Sequence, residues 1–592
     1  MDRQRVLRQV HRVPTRGLAL RRRLAKLASF AALALFPAAL IIAAPPPQQS
    51  QQPAASVVFT DVAAAAGIKF THVNGAFGKK YLPETMGSGV AFLDVDGDGY
   101  QDLFLVNGKS WPGQTPAPAP APALYRNNRN GTFTDITKQA GLAVDVYGLG
   151  AAVADFDNDG HVDLLITALG GNKLFRNTGK GTFTDVTAKS GVAGAPAAFP
   201  ASAAWVDYDR DGWLDLIVLH YVQWSIAQDK FCALDGKNKS YCTPETYKGE
   251  SPVLYRNRRD GTFQDVTKAA GLYDPASKAL GVALLDYNED GWLDLIVAND
   301  TAPNRLYRND GGKKFVDEAI GAGVAFNEAG ASRAGMGVDV ADYDASGRDS
   351  IVIGNFTNEM IALYHNEGGN LFLDKAPGGT IGRASMSSLT FSTFFFDFDL
   401  DGRPDIFAAN GHVADDISKS QPKITHAQAP LLFRNIDGQK FDVADAGAAL
   451  KERMVARGAA YADIDLDGDP DIAVNVNGGP ARLFRNDGGS RSRALRLTLT
   501  GVKTNRSAIG ARVVITLDNG TKRRAMVKSG SSYLSQSELP VTFGLGAASK
   551  VTGLEIHWPG GAVEKLPAVE ANQHLTIQEA KGIVSRVPLV KK

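Results

Sequence analysis

Short apolar runs, rich in β-branched and aromatic side chains, recur along most of the chain and alternate with acidic or glycine-bearing turns. Gly89-Val90-Ala91-Phe92-Leu93 leads into one such turn, and Leu103-Phe104-Leu105-Val106 leaves it. Runs this short, bounded by Gly and Asp, predict strands rather than helices. The turn itself is a nonapeptide, Asp-x-Asp-x-Asp-Gly-x-x-Asp, with copies beginning at Asp94, Asp155, Asp207, Asp286, Asp342, Asp397 and Asp463. Seven copies at spacings of 52 to 79 residues make an internal repeat. The repeat decides the fold.

Two further segments recur in step. Leu-aromatic-Arg-Asn occupies 124–127, 174–177, 254–257, 306–309, 432–435 and 483–486, and His365 replaces Arg in the copy at 363–366. A turn rich in Gly and Asn or Asp follows, then a strand such as Phe133-Thr134-Asp135-Ile136. Each repeat therefore predicts four strands, the content of one propeller blade. The seventh repeat lacks its last strand, whereas Phe59-Thr60-Asp61-Val62 stands alone before the first acidic turn. An N-terminal strand that completes the last blade closes a ring and removes sheet edges. The expected fold is all-β: a seven-bladed β-propeller over 57–490, followed by a small β-sandwich-like domain over 491–580. In that second region Leu495-Arg496-Leu497-Thr498-Leu499 and Leu554-Glu555-Ile556-His557-Trp558 alternate with the period of a strand.

Composition supports this reading. Sixty-two glycines and 44% apolar residues suit a turn-dense all-β chain with a large core. The net charge of +1 conceals three unlike regions. Residues 1–26 carry nine basic groups and one acid, and residues 491–592 carry sixteen basic groups and six acids, which leaves about −17 on 45–490. A body this acidic repels phosphate, so no nucleic-acid partner is expected. The basic C-terminal region either docks on the acidic one or presents a solvated basic face.

At the N-terminus, Arg21-Arg22-Arg23-Leu24-Ala25-Lys26 precedes eighteen uncharged, mostly apolar residues, 27–44. This reads as an export signal over 1–44, or as an uncleaved anchor, the one route to a membrane. A Pro/Gln-rich linker, 45–56, follows, and a basic tail, 581–592, ends the chain. The Pro-Ala run 116–122 is expected as a surface loop. Cys232 and Cys242, the two cysteines, lie in the longest interval between repeats. In an exported protein they are expected to form a local disulfide.

The acidic turns have the chemistry of cation sites. Positions one, three, five and nine offer carboxylates, and position seven a backbone carbonyl. Oxygen-only ligands on a flexible loop suit Ca2+ better than Mg2+, and Gly at position six allows the bend. An EF-hand is excluded, because the loop runs into a strand and lacks a Glu at position twelve. Five copies are complete: Asp94/Asp96/Asp98/Asp102, Asp155/Asp157/Asp159/Asp163, Asp207/Asp209/Asp211/Asp215, Asp397/Asp399/Asp401/Asp405 and Asp463/Asp465/Asp467/Asp471. The fourth, Asp286/Asn288/Asp290/Asp294, has one charge fewer, and the fifth keeps only Asp342 and Asp344 before Ser346 and Ser350. About six Ca2+ sites are expected, with the fifth weak or empty.

These repeats resemble the FG-GAP/VCBS repeats of integrin-α-type propellers. The C-terminal segment resembles an ASPIC/UnbV domain through Asn505-Arg506-Ser507-Ala508-Ile509-Gly510-Ala511-Arg512-Val513, Gly530-Ser531-Ser532-Tyr533-Leu534-Ser535-Gln536, Phe543-Gly544-Leu545-Gly546 and His557-Trp558-Pro559. The combination is similar to the cartilage acidic protein family and its bacterial relatives, and to UnbV-type proteins associated with enediyne biosynthesis. Tyr241-Cys242-Thr243-Pro244, Ala298-Asn299-Asp300 and Asn410-Gly411-His412-Val413 look like segments of that family. The resemblance implies calcium-binding propeller modules outside the cytoplasm and no defined reaction.

No phosphate loop, dinucleotide fingerprint or Ser/His/Asp spacing is present. The one cluster suggestive of a ligand is His72, Asn74, Lys80 and Glu84 ahead of the first repeat, with His412 after the sixth. The reading that follows is an exported scaffold for a protein or glycan partner. Its alternative is an enzyme, or an enzyme partner, in extracytoplasmic or secondary metabolism.

Overall fold

The structure is a computed structural model describing residues 57–114 and 120–590. The signal or anchor, the linker, part of the Pro-Ala run and the last two residues lie outside the described residues.

Among the described residues, the repeats form seven four-stranded antiparallel sheets. The first runs Val90–Leu93, Asp102–Leu105, Ala123–Asn127, Phe133–Asp135. Five more, in the same order, start at Tyr147–Ala154, Pro200–Val206, Ala279–Leu285, Gly335–Ala341 and Thr390–Phe396. The seventh combines Ala456–Ala462, Asp471–Val476 and Arg482–Asp487 with the N-terminal strand Val58–Asp61. Phe59 lies opposite Asn486, as Phe133 lies opposite Asn127. The leading strands touch in chain order, and Val90–Leu93 also touches Ala456–Ala462, so the sheets form a closed propeller-like ring.

Position in the sheet dictates composition. Leading and second strands are covered on both faces by neighbouring sheets and are buried almost throughout. Their sequences are accordingly continuous apolar runs. Fourth strands such as Phe263–Asp265 bury only the Phe and expose the rest. Short polar edges of this kind resist pairing with other chains.

The repeated Asn joins one sheet to the next. Its backbone N–H donates to the ninth-position aspartate of its own loop, Asn177 to Asp163 at 2.8 Å and Asn309 to Asp294 at 2.7 Å. Its side chain donates to the loop of the preceding repeat, Asn177 to the Val95 carbonyl at 3.0 Å and Asn257 to the Phe156 carbonyl at 2.9 Å. The ninth aspartate also accepts the N–H of position two, as Asp102 does from Val95 at 2.9 Å. It is therefore a structural bracket as well as a candidate ligand.

The C-terminal region forms two further sheets. One is Val541–Gly546, Arg493–Thr500, Gln573–Gln578 and Gly582–Pro588. The other contains Lys522–Met526, Arg512–Leu517, Lys550–His557 and Val563–Leu566. Leu497, Ile515, Phe543, Ile556 and Leu575 share a core, as in a sandwich. The expected basic tail is corrected in part: 582–588 is a strand paired with Gln573–Gln578, and Leu589 is buried against Leu400 and Ala494. The apolar alternation Ile583, Leu589 was too weak to mark it from sequence.

This domain docks on the ring. Residues 529–538 enter the space enclosed by the leading strands. Leu534 accepts from Ala151 N–H, Ser532 from Val338 N–H and Gln536 from Phe92 N–H, each at 3.0 Å. Glu538 N–H donates to the Tyr461 carbonyl, and Tyr533 Oη donates to the Met86 carbonyl at 2.9 Å. Tyr533 and Leu534 are buried. Charge adds to this seal: Lys528 pairs with Asp339, and the fully buried Arg496, bound at 2.6 Å to Glu538 of its own domain, lies 3.9 Å from Asp463 of the ring.

Candidate metal centres

Each acidic loop curls through two left-handed residues. Position four is left-handed at Asn158 (φ 57°), Arg210 (φ 57°) and Leu466 (φ 57°), and position six at Gly160 (φ 96°), Gly212 (φ 86°) and Gly468 (φ 98°). At position six the invariant Gly avoids the steric cost that any Cβ would carry. The first aspartate fixes the curl: Asp155 accepts from Asp159 N–H at 3.0 Å and from Gly160 N–H at 2.7 Å.

The curl brings positions one, three and nine together. In five loops these carboxylates offer oxygens all within 4.8 Å of one another: Asp94/Asp96/Asp102, Asp155/Asp157/Asp163, Asp207/Asp209/Asp215, Asp397/Asp399/Asp405 and Asp463/Asp465/Asp471. Position five, expected as a fourth carboxylate ligand, lies outside these trios in all five loops, at Asp98, Asp159, Asp211, Asp401 and Asp467. Four of these five are held by arginine instead. Asp98 pairs with Arg129 at 2.6 Å, Asp159 with Arg176 at 2.8 Å and Asp211 with Arg259 at 2.8 Å, and Asp401 pairs with Arg403. Asp467 is buried, and its carboxylate accepts from the Asp469 N–H two residues on, at 3.1 Å. The physical reason is local: in all five loops the position-five carboxylate turns along the chain to accept the N–H of position seven, as Asp98 does from Tyr100 at 2.8 Å and Asp159 from His161 at 3.0 Å. The Arg of the repeated Leu-aromatic-Arg-Asn flanks position three, Arg176 at 2.6 Å from Asp157 and Arg256 at 2.6 Å from Asp209.

The trio oxygens fit a hard cation. Asp157, Asp209, Asp397 and Asp463 each bury an Oδ1 that no donor reaches. A buried carboxylate oxygen without a partner is costly, and a divalent ion removes that cost. Burial, with neighbouring carboxylates adding to it, pushes Asp155 and Asp207 up to about 7 and Asp102 up to about 8. The seventh loop contains an acid that the repeat pattern passes over, because the pattern gives position seven only a carbonyl. Asp469, at that position, is buried and accepts from Ser490 N–H at 2.5 Å.

Loops four and five differ. Asp286 is paired with Arg512 of the C-terminal domain at 3.0 Å, and Asn288 Nδ2 donates to Asp290 at 2.9 Å. Asp294 is the bracket for Asn309. In loop five, Arg524 lies 3.4 Å from Asp342 and 2.6 Å from Asp349, and His365 lies 2.8 Å from Asp344. The out-of-register Asp349 thus has an arginine partner. The C-terminal domain reaches other loops as well: Arg506 N–H donates to Asn158 at 2.9 Å, and Arg523 to the Asp401 carbonyl at 3.0 Å.

At the opposite ends of the leading strands, the structure gathers part of the His72/Glu84/His412 cluster. Glu84 accepts from Trp111 Nε1 and Tyr241 Oη, both at 3.0 Å, and Asn74 donates to Asn477 at 2.6 Å. Lys80 pairs with Asp415 near the surface. Trp111, Tyr147 and Trp224 pack beneath them as buried rings rather than as an exposed platform. Cys232 and Cys242 are disulfide-bonded in the insertion beside Tyr241. Sequence reasoning missed Arg457, which sits within this group. The residue preceding the Gly or Ser that stands five places before each acidic loop is Ser88, Leu149, Ala201, Leu280, Met336, Phe391 or Arg457, and only the last is charged. No helix among the described residues is long and apolar enough to cross a membrane.

Comparison with known proteins agrees with the repeat and the C-terminal segment. A family model described as an FG-GAP-like repeat matches 94–166, 155–218, 235–297 and 286–353, and one described as ASPIC and UnbV matches 501–584. Cartilage acidic protein 1 of Mus musculus is 25% identical over 541 residues, covering 86% of this chain and 76% of the relative. The Homo sapiens protein is 25% identical over 503 residues, covering 81% and 70%. Among solved structures, the BP39L lectin from Burkholderia pseudomallei is similar at 9% identity and a TM-score of 0.43, covering 67% of this chain and 95% of that one. A lectin of Agrocybe aegerita that recognises non-reducing terminal N-acetylglucosamine is similar at 17% identity and a TM-score of 0.36, covering 62% and 83%. The chain is an FG-GAP-repeat protein with a C-terminal ASPIC/UnbV domain, homologous to cartilage acidic protein 1.

Proposed function

We propose that this protein is an exported, calcium-stabilised binding scaffold that presents the loops of a rigid ring to a protein or glycan. The observation that carries the calcium part is the convergence of three carboxylates in five loops, four of which bury an oxygen that no protein donor satisfies. Ca2+ would be held by positions one, three and nine, and would supply positive charge where the sequence concentrates acid. Export is supported by the disulfide and by the basic-then-apolar segment at the N-terminus.

Support for the binding part comes from the disulfide-clipped insertion, which exposes Ile226, Phe231 and Leu234. Large apolar side chains held outward on a constrained loop are suited to a partner. The test is calorimetric titration of the chelated full chain with Ca2+, followed by a glycan-array screen with and without Ca2+. Saturable Ca2+ uptake with a raised melting temperature supports the scaffold. Absence of uptake removes its calcium component.

A further inference from the structure

We propose that Arg457, His72 and His412 form a buried binding site for a small monoanion, a halide or the carboxylate of a small acid, at the end of the ring opposite the acidic loops.

Arg457 is 1% exposed, and no carboxylate among the described residues lies within 4.0 Å of it. Its partners are neutral carbonyls: Nε donates to Thr85, Nη1 to Ala456 at 2.7 Å and Gly411 at 3.0 Å, and Nη2 to His412 at 3.4 Å. A guanidinium has five N–H groups, so one on Nη2 remains without a protein acceptor. The Phe391 ring, 3.9 Å from Cζ, offers a partial counter-charge only. The contrast with Arg496 is informative, since that equally buried arginine has Glu538 opposite it.

The two histidines add donors and no acceptors. His72 Nδ1 accepts from Gly478 N–H at 3.2 Å, and His412 Nδ1 accepts from Ala414 N–H at 3.0 Å. A backbone N–H can only donate, so in each neutral ring the proton resides on Nε2. Both Nε2 atoms are buried without a partner, and both residues are 2% exposed. Burial and the nearby Arg457 charge hold His72 down at about 3 and His412 at about 4, so both are neutral donors at physiological pH.

The Arg457 charge acts on both imidazoles, which places all three groups in one neighbourhood. Arg457 reaches Thr85, a Cβ on Gly87 would lie 3.6 Å from His72 Nε2, and Arg457 Nη2 reaches the His412 carbonyl. Tyr533 closes the inner side, with its hydroxyl on the Met86 carbonyl and its ring against Phe391. Glu84 makes no ion pair with Arg457; its two oxygens accept from Trp111 Nε1 and Tyr241 Oη, on the far side of the Thr85 carbonyl. Water would accept these N–H groups but would leave the guanidinium charge uncompensated in a dry interior. An anion satisfies donors and charge together, and the burial of all three side chains restricts it to a small one.

The test uses the full chain at constant ionic strength, with gluconate replaced in turn by chloride, bromide or formate while the melting temperature is followed. A rise with halides assigns a halide site, and a larger rise with formate assigns a carboxylate site. The same series on Arg457→Gln is expected to lose the rise. Should that variant not fold, crystals of the unaltered protein in bromide decide the matter. An anomalous peak within hydrogen-bond reach of Arg457 and His72 supports the site. A flat melting series together with non-exchanging, water-like density there overturns it.

Discussion

Asn127 of the first repeat donates its side-chain N–H to the Ile464 carbonyl of the seventh at 2.8 Å. Elsewhere the same bond joins each repeat to the one before it, so this copy is the ring's closing link. Its other Nδ2 bond goes to the Gln101 carbonyl, and its Oδ1 accepts from Arg129 N–H at 2.9 Å. Asn127→Ala leaves those buried groups unpaired and is expected to cost about 1–3 kcal/mol. Gln139→Ala, on the surface of the same repeat, should fall within about 0.5 kcal/mol of the unaltered protein. Urea unfolding of both variants provides the comparison.

Gly89 should be intolerant of a methyl group. A Cβ there would lie 2.2 Å from the Leu534 carbonyl and 2.8 Å from Gly150 Cα, both backbone, so the inserted loop must move. Gly89→Ala is expected to destabilise by about 1–3 kcal/mol and to open 529–538 to limited proteolysis. At Gly87 the nearest atom is 3.4 Å away, and Gly87→Ala should keep the loop protected.

Calcium stoichiometry should follow the five trios rather than the seven loops. Calorimetry on the unaltered chain is expected to give five strong sites. Arg512→Ala frees Asp286 from its 3.0 Å ion pair and should add or strengthen one site, in the fourth loop. Equal stoichiometry and affinity in the two proteins would show that Arg512 does not compete with the ion.

Acid and calcium should oppose one another. In the metal-free fold Asp155 and Asp207 are held up to about 7, and Asp102 and Asp463 up to about 8, from an ordinary value of 3.8. The folded state therefore binds more protons than the unfolded chain between about pH 4 and about pH 8, and metal-free stability falls as pH rises through that window. Ca2+ takes the deprotonated carboxylates, so its stabilisation should grow over the same range. Melts in chelator should be lower at about pH 8 than at about pH 5.5, and the gain on adding Ca2+ should be larger at the higher pH. The reverse order in chelator would contradict this.

Much of the architecture was legible because its signals are local and repeated. The acidic turns, the Arg-Asn strands and the orphan Phe59 segment marked the sheets and their closure without any long-range information. Within a loop, spacing marks the acids but not their directions, so Asp467 reads the same as Asp465 although only the latter joins its trio. Gly530-Ser531-Ser532-Tyr533-Leu534-Ser535-Gln536 was noticed as a motif but, being small and polar, had no mark of deep burial. Its complement was spread over the chain: Gly89, Gly150, Ser202, Gly281, Gly337, Ser392 and Gly458, each five residues before an acidic loop. Ser202 accepts from Leu534 N–H at 2.9 Å, which shows how a serine serves where a glycine is replaced. Arg512 and Arg524 were legible only as part of a basic region that either docks or stays solvated, because only the docked domain brings them to Asp286 and Asp342.

The pairing of Val58–Asp61 with Arg482–Asp487 sets an order of events on the ribosome and during any transport that follows. Thr60 emerges first and must wait for Asp487, 427 residues behind it, before the seventh sheet has its last strand. Residues 529–538 come later still, so the middle of the ring stays unfilled until nearly the whole polypeptide is available. A chain stopped at any earlier point carries a raw edge and an open axis, both lined with unsatisfied backbone amides. Half-made molecules are thereby exposed to proteases and to one another, while finished ones are not.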